Sequence, residues 1–111
     1  MSALDLFLIK LKWNSQGLIP VIVQDFEKLD VLMMAWMDKE ALRRTLKQKE
    51  MVFWSRSRKE YWHKGATSGN VMSVVDFSLD CDGDALLFKV KMSGSQVACH
   101  TGVRSCFFQK M

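Results

Sequence analysis

The sequence predicts one α+β domain, a mainly antiparallel sheet carrying one main helix. Three observations predict it. At 111 residues and 49% hydrophobic content, the chain has the size and composition of a single globular domain. Six or seven short apolar or alternating runs, bounded by Gly, Asp, Ser or Asn, read as strands. A single stretch, residues 39–49, has clear helical spacing. Strands in series with one helix give the α+β class.

The elements follow in order. Residues 6–13 (LFLIKLKW) form either a strand or a short helix, because the periodicity fits both. Leu18–Val23 is apolar and β-branched with Pro20 inside it. Pro cannot donate to a ladder, so this is an edge strand or a strand start. Glu27–Asp30 reads as a hairpin connection, and Val31–Met37 as a buried strand. Asp38 is an N-cap for the helix that follows, with Ala41, Leu42 and Leu46 on one face, Glu40 in the first turn and Lys47 and Lys49 in the last. Met51–Trp54 is a short strand running into a polar basic stretch. Val71–Leu79 and Ala85–Met92 are strands, and Ser93–Ser95 is a turn. Val97–Cys99 is a last short strand, and Phe107–Met111 packs by its two aromatics.

Composition excludes several classes. No apolar run approaches the ~20 residues of a membrane span. The N-terminus has no basic region before its apolar part and no small-residue cleavage site, so no signal peptide is expected. Net charge is +4, but the basic residues are dispersed, which argues against nucleic acid as a partner. Three cysteines are a poor disulfide framework and fit a reducing cytoplasm.

Chemistry concentrates in three places. In Asp80-Cys81-Asp82-Gly83-Asp84, an extended backbone would turn the three carboxylates to one face and Cys81 to the other. A hard cation such as Mg²⁺ would relieve their repulsion, and Cys81 would suit a softer metal. Asp and Gly are equally ordinary turn residues. Cys81, Cys99 and Cys106 lie far apart in sequence, with no Cys-x-x-Cys pair. As three thiolate ligands they would leave a zinc ion a fourth, open position, the pattern of a catalytic site. Such a site carries net negative charge, so water activation would call on a neighbouring base, for which His100 is placed beside Cys99. The same cysteines could be small buried hydrophobes. Ser55-Arg56-Ser57-Arg58 and Lys64–Gly69 could bind phosphate through guanidinium forks and glycine-exposed amides, or be solvated loops. Trp54 and Trp62 could stack a purine or fill core, and His63 could line a substrate pocket but reads better as a surface residue. The His-x-Glu and Pro-Cys-x-x-Cys signature of zinc deaminases is absent.

Four motifs in order, FWSRSR (53–58), WHKGATSGN (62–70), DCDGDALL (80–87) and ACHTGVRSCF (98–107), resemble phosphoribosyl-AMP cyclohydrolases of histidine biosynthesis. GLIPVIVQD (17–25) and VLMMAWM (31–37) resemble that family's opening strands, so the likeness covers roughly residues 11–108. The resemblance implies hydrolysis of the N1–C6 bond of the adenine ring of phosphoribosyl-AMP in the cytoplasm. It implies a homodimer with active sites at the interface. Cys81, Cys99 and Cys106 would then be zinc ligands, and Asp80, Asp82 and Asp84 Mg²⁺ ligands. His100 would help deprotonate the attacking water, and Arg56, Arg58, Lys64, Thr67 and Ser68 would contact phosphate and ribose. Ala66 stands where many members have Glu, and Val103 where many have Arg. The chain ends soon after Cys106, without the pyrophosphohydrolase domain fused to some relatives.

Overall fold

The computed structural model describes residues 1–111. The order of elements is α1 (Ala3–Ile9), β1 (Ile19–Asp25), β2 (Val31–Met37), α2 (Lys39–Gln48), β3 (Val52–Ser55), β4 (Glu60–His63), β5 (Met72–Leu79) and β6 (Leu86–Met92). The class is α+β, as expected, with two departures. There are two helices rather than one, and the four-stranded sheet, ordered β2-β1-β6-β5, contains one parallel pair, β1 with β6. β3 and β4 form a separate two-stranded sheet.

The undecided N-terminal stretch is a helix, and it begins earlier than residue 6. Ser2 and Asp5 close a reciprocal capping box that sets its start. β1 is not an edge strand: β2 and β6 flank it. Pro20 is tolerated because it lies at the strand start, before the ladder with β6 begins at Val21. β2 has the expected bounds but lies at the sheet edge. The helix after Asp38 forms as its spacing requires. The Asp38 carboxylate accepts from the Ala41 amide at 2.8 Å, and Lys49 ends the helix in the left-handed region.

The core lies on one face of the four-stranded sheet. Val21, Val23, Phe88 and Val90 supply its centre, and Ala41 and Leu42 of α2 and Phe53 of β3 join the same cluster. Thr45 is a fully buried polar residue on the inner face of α2. Its hydroxyl donates to Ala41 O and accepts from the Val52 amide at 3.0 Å, joining α2 to β3. Thr45→Val keeps the volume but orphans that buried amide. It should cost about 1–3 kcal/mol, read from the urea midpoint.

Two expected features do not form. Residues 97–99 form no strand but an irregular segment with a bend at Cys99. Phe107 and Phe108 are 59% and 46% exposed, so the C-terminus does not pack on its own chain.

Candidate active site

The β3–β4 hairpin, the 64–70 loop and the 98–106 loop surround a cleft of about 910 Å³. Arg58, Lys64, Thr67, Ser68, Cys99 and His100 all line it, so six of the residues singled out from the sequence converge. Arg56 does not: its guanidinium stacks 4.4 Å from the Trp36 ring centre. Trp62 lines the cleft beside His63, whose Nε2 lies 2.8 Å from a Glu50 carboxylate oxygen. Trp54 lies edge-on to Tyr61.

Local geometry explains how the cleft is held open. Gly65 has φ +86°, and an added Cβ would collide with the backbone of Asn70 and Val71. Asn70 then accepts from Ser95 through its amide at 2.9 Å and its hydroxyl at 3.0 Å, tying the 64–70 loop to the turn after β6. Asn70 was not read from the sequence as a site residue. Its signal is only an Asn after Gly in a loop, which many turns share. β4 was also missed, because charged and aromatic residues hide its alternation.

Lys64 is buried, not solvated. Its ammonium donates to the Ala98 carbonyl and lies 4.8 Å from the Trp62 ring centre. Burial pushes its pKa down, and the nearby Cys106 and Cys99 push it partly back. The two cysteines are neighbours. Cys99 is buried, and its thiol is 3.0 Å from the Thr101 hydroxyl. That hydrogen bond, the Thr101 backbone, Cys106 and Lys64 together outweigh burial and hold the Cys99 thiol below its ordinary range. Cys106 is exposed at the surface, yet desolvation by neighbouring atoms, followed by the charge of Cys99, pushes its thiol up. One of the pair therefore ionises at the expense of the other, a donor set that a divalent cation would stabilise.

Cys81 is elsewhere. It sits between the end of β5 and the start of β6. The Cys106 amide bonds to Leu32 O at 2.8 Å, at the start of β2. In register, Val31 at the start of β2 stands opposite Gln24, whereas Leu86 at the start of β6 lies beside Val21, so the two starts are offset by three residues along the sheet with β1 between them. Three residues of strand span about 10 Å, and Cys81 lies beyond the start of β6, in the β5–β6 turn. No group of three or more His, Cys, Asp or Glu side chains converges within the chain.

The acidic segment departs from the extended reading. Residues 80–84 form a turn, closed by the Gly83 amide on Asp80 O at 3.2 Å. The faces therefore do not alternate, and the Cys81 thiol points at Asp82, 3.5 Å away, rather than away from the carboxylates. Asp80 Oδ1 accepts from the amides of Asp84 and Ala85. The Asp80 side chain and its charge push the Asp84 carboxyl up. On Asp80 itself, desolvation is outweighed by hydrogen bonds from Asp84 and backbone amides, which hold it low. No helix is long and apolar enough to cross a membrane.

Comparison with known proteins agrees with this arrangement of motifs. The family model described as phosphoribosyl-AMP cyclohydrolase matches residues 33–108. A protein of that name from Thermobifida fusca (strain YX) is 60% identical over 98 residues, which cover 88% of this chain and 83% of the relative. One from Azoarcus sp. (strain BH72) is 51% identical over 110 residues, 99% of this chain and 83% of the relative. One from Cupriavidus metallidurans is 56% identical over 104 residues, covering 94% and 76%. With two-thirds of its length matched by the family model and these identities over nearly all of it, the chain belongs to the phosphoribosyl-AMP cyclohydrolase family.

Proposed function

We propose that this protein hydrolyses the N1–C6 bond of the adenine ring of phosphoribosyl-AMP, a step of histidine biosynthesis in the cytoplasm, as a zinc-dependent homodimer. The observation that carries this reading is the convergence of Arg58, Lys64, Thr67 and Ser68 with Cys99 and His100 on one cleft, in a chain of this family. Anion-binding groups and a nucleophile-activating end share that space.

The residues present fit the implied metals. Cys99 and Cys106 are adjacent thiols of unequal acidity, suited to a soft divalent ion such as zinc. The crowded carboxylates of Asp80 and Asp84, with Asp82 beside them, suit a hard one such as Mg²⁺. Cys99, Cys106 and Cys81 would hold zinc, which when bound supplies Lewis acidity toward water. Asp80, Asp82 and Asp84 would hold Mg²⁺, which supplies charge neutralisation. Because Cys81 lies in the β5–β6 turn and no third His, Cys, Asp or Glu joins Cys99 and Cys106 within the chain, a second copy would bring it. Ile22 and Met34, cross-strand neighbours on the uncovered face of the sheet, are 39% and 45% exposed and leave apolar surface for such a partner.

The chain's own groups then divide the work. Arg58, Thr67 and Ser68 bind phosphate and ribose oxygens at the mouth of the cleft, and Trp62 offers a ring face to the purine. Arg56, stacked on Trp36 outside the cleft, is left out of this set. Lys64 adds positive charge beside the thiols. His100 takes the proton of the attacking water as its oxygen bonds to C6. The N1–C6 bond then breaks and N1 takes up a proton. His100→Ala should lower kcat by about 10²–10⁴ while zinc content stays near one per chain. An unchanged kcat would remove His100 from this role.

The whole reading is tested by ultraviolet assay of the purified protein with phosphoribosyl-AMP. Turnover that a chelator abolishes and zinc with Mg²⁺ restores is expected. No ring opening under any metal condition would overturn it.

A further inference from the structure

We propose that Arg104 is a positioning residue: an ionic clamp that fixes the Cys99–Cys106 loop to the β1–β2 turn and so sets the two thiols for their metal. This rests on the reading of those cysteines as zinc ligands.

The clamp is built from three contacts. Arg104 Nε and Nη2 donate to the two oxygens of Asp30 at 2.9 and 3.1 Å, the planar fork-on-fork geometry of a strong pair. Nη2 also lies 3.4 Å from Asp25 Oδ1. Asp25 is buried at the end of β1, and its other oxygen accepts from the amides of Glu27 and Lys28 at 3.1 and 2.7 Å. One carboxylate therefore caps the β1–β2 turn and anchors the arginine.

The backbone carries the clamp to both thiols. The Arg104 carbonyl accepts from the Ala98 amide at 2.9 Å, one residue before Cys99. On the other side, Ser105 Oγ donates to Val31 O at 2.7 Å and the Cys106 amide to Leu32 O. Residues 98–106 contain no helix or strand of their own, so these bonds, with the turn bonds between Cys99 and Val103 and the Lys64 contact to Ala98, hold the loop, and of them only the Arg104 set ties it to the β1–β2 turn. Arg104 does not line the cleft. Its effect must pass through the cysteines. Outer partners of metal ligands typically change affinity 10–100-fold when removed.

The test uses Arg104→Met, Arg104→Lys and Asp30→Asn in the full chain. In metal-free protein, hydrogen exchange at the Ala98 and Cys106 amides should speed up at least tenfold in Arg104→Met and Asp30→Asn, while β1 and β6 amides keep their protection. Zinc affinity, read by competition with a chelator, should fall 10–100-fold in both variants and recover only in part in Arg104→Lys, which keeps charge but not the fork. Loop protection and zinc affinity both within twofold of the parent would overturn the clamp. So would equal loss of protection across the whole sheet, which would mark a purely structural ion pair. If Arg104→Met fails to fold, Asp30→Asn decides, since it changes a half-exposed side chain and leaves the arginine on Asp25. If the parent itself binds no zinc, the metal reading fails, and the exchange data still decide whether the loop is clamped.

Discussion

Cys99→Ala should abolish zinc binding and turnover together. Cys99 is the one buried cysteine, and its hydrogen bond with Thr101 holds its thiol below the ordinary range, which favours it as a thiolate donor. Without it, Cys106 is left alone, an exposed thiol that desolvation by its neighbours holds above its ordinary range. Zinc content by atomic emission should fall to near zero, with activity at background. Normal turnover in this variant would end the zinc role of the site. The two-chain arrangement makes a sharper form of the experiment. Cys81→Ala should be equally inactive. Refolding the two inactive variants together at equal amounts should restore about a quarter of the parent's sites, because half of randomly paired dimers are mixed and each mixed dimer holds one intact site of two. No recovery on mixing would place all three ligands in one chain, against the separation of Cys81 from the others across the sheet.

Gly65→Ala should be the most damaging single change outside the cysteines. The residue has φ +86°, where a side chain is disfavoured by about 1–2 kcal/mol before any contact is counted. The added Cβ would also overlap the carbonyl of Asn70 and the amide of Val71, which are backbone atoms with no rotamer to change. Relief requires the 64–70 loop to move. That breaks the Gly69 amide bond to Gly65 O and displaces Asn70 from Ser95. Loss of more than about 3 kcal/mol is expected, together with loss of the cleft wall that Thr67 and Ser68 form. A thermal melt and a substrate-binding titration would separate the two effects. Wild-type stability and affinity would mean that the loop adapts more freely than this packing allows.

Much of this protein was legible from its sequence, for local reasons. Asp38 capping α2 and the apolar run of β2 depend on neighbours within a few residues, and both elements formed where expected. The four motifs that carry the family likeness are likewise contiguous. What escaped were features decided by residues far apart. An extended acidic strand was a fair expectation from alternating Asp and Cys. The structure makes it a turn because Gly83 packs against Lys10, whose carbonyl an added Cβ would meet at 2.5 Å, and because its own carbonyl accepts from Lys12 at 2.7 Å. β1 becomes central rather than an edge because β6 returns beside it in parallel, a pairing made over more than 60 positions of chain. Lys64 is written as a loop cation, but only the fold supplies the Ala98 carbonyl and the Trp62 ring that bury it. The sequence by itself determined which donors and which charges this protein has. Tertiary structure alone decided their distribution, setting Cys99 and Cys106 together beside the start of β2 and Cys81 apart from them in the β5–β6 turn, because strand direction and order are long-range consequences of burying one apolar face.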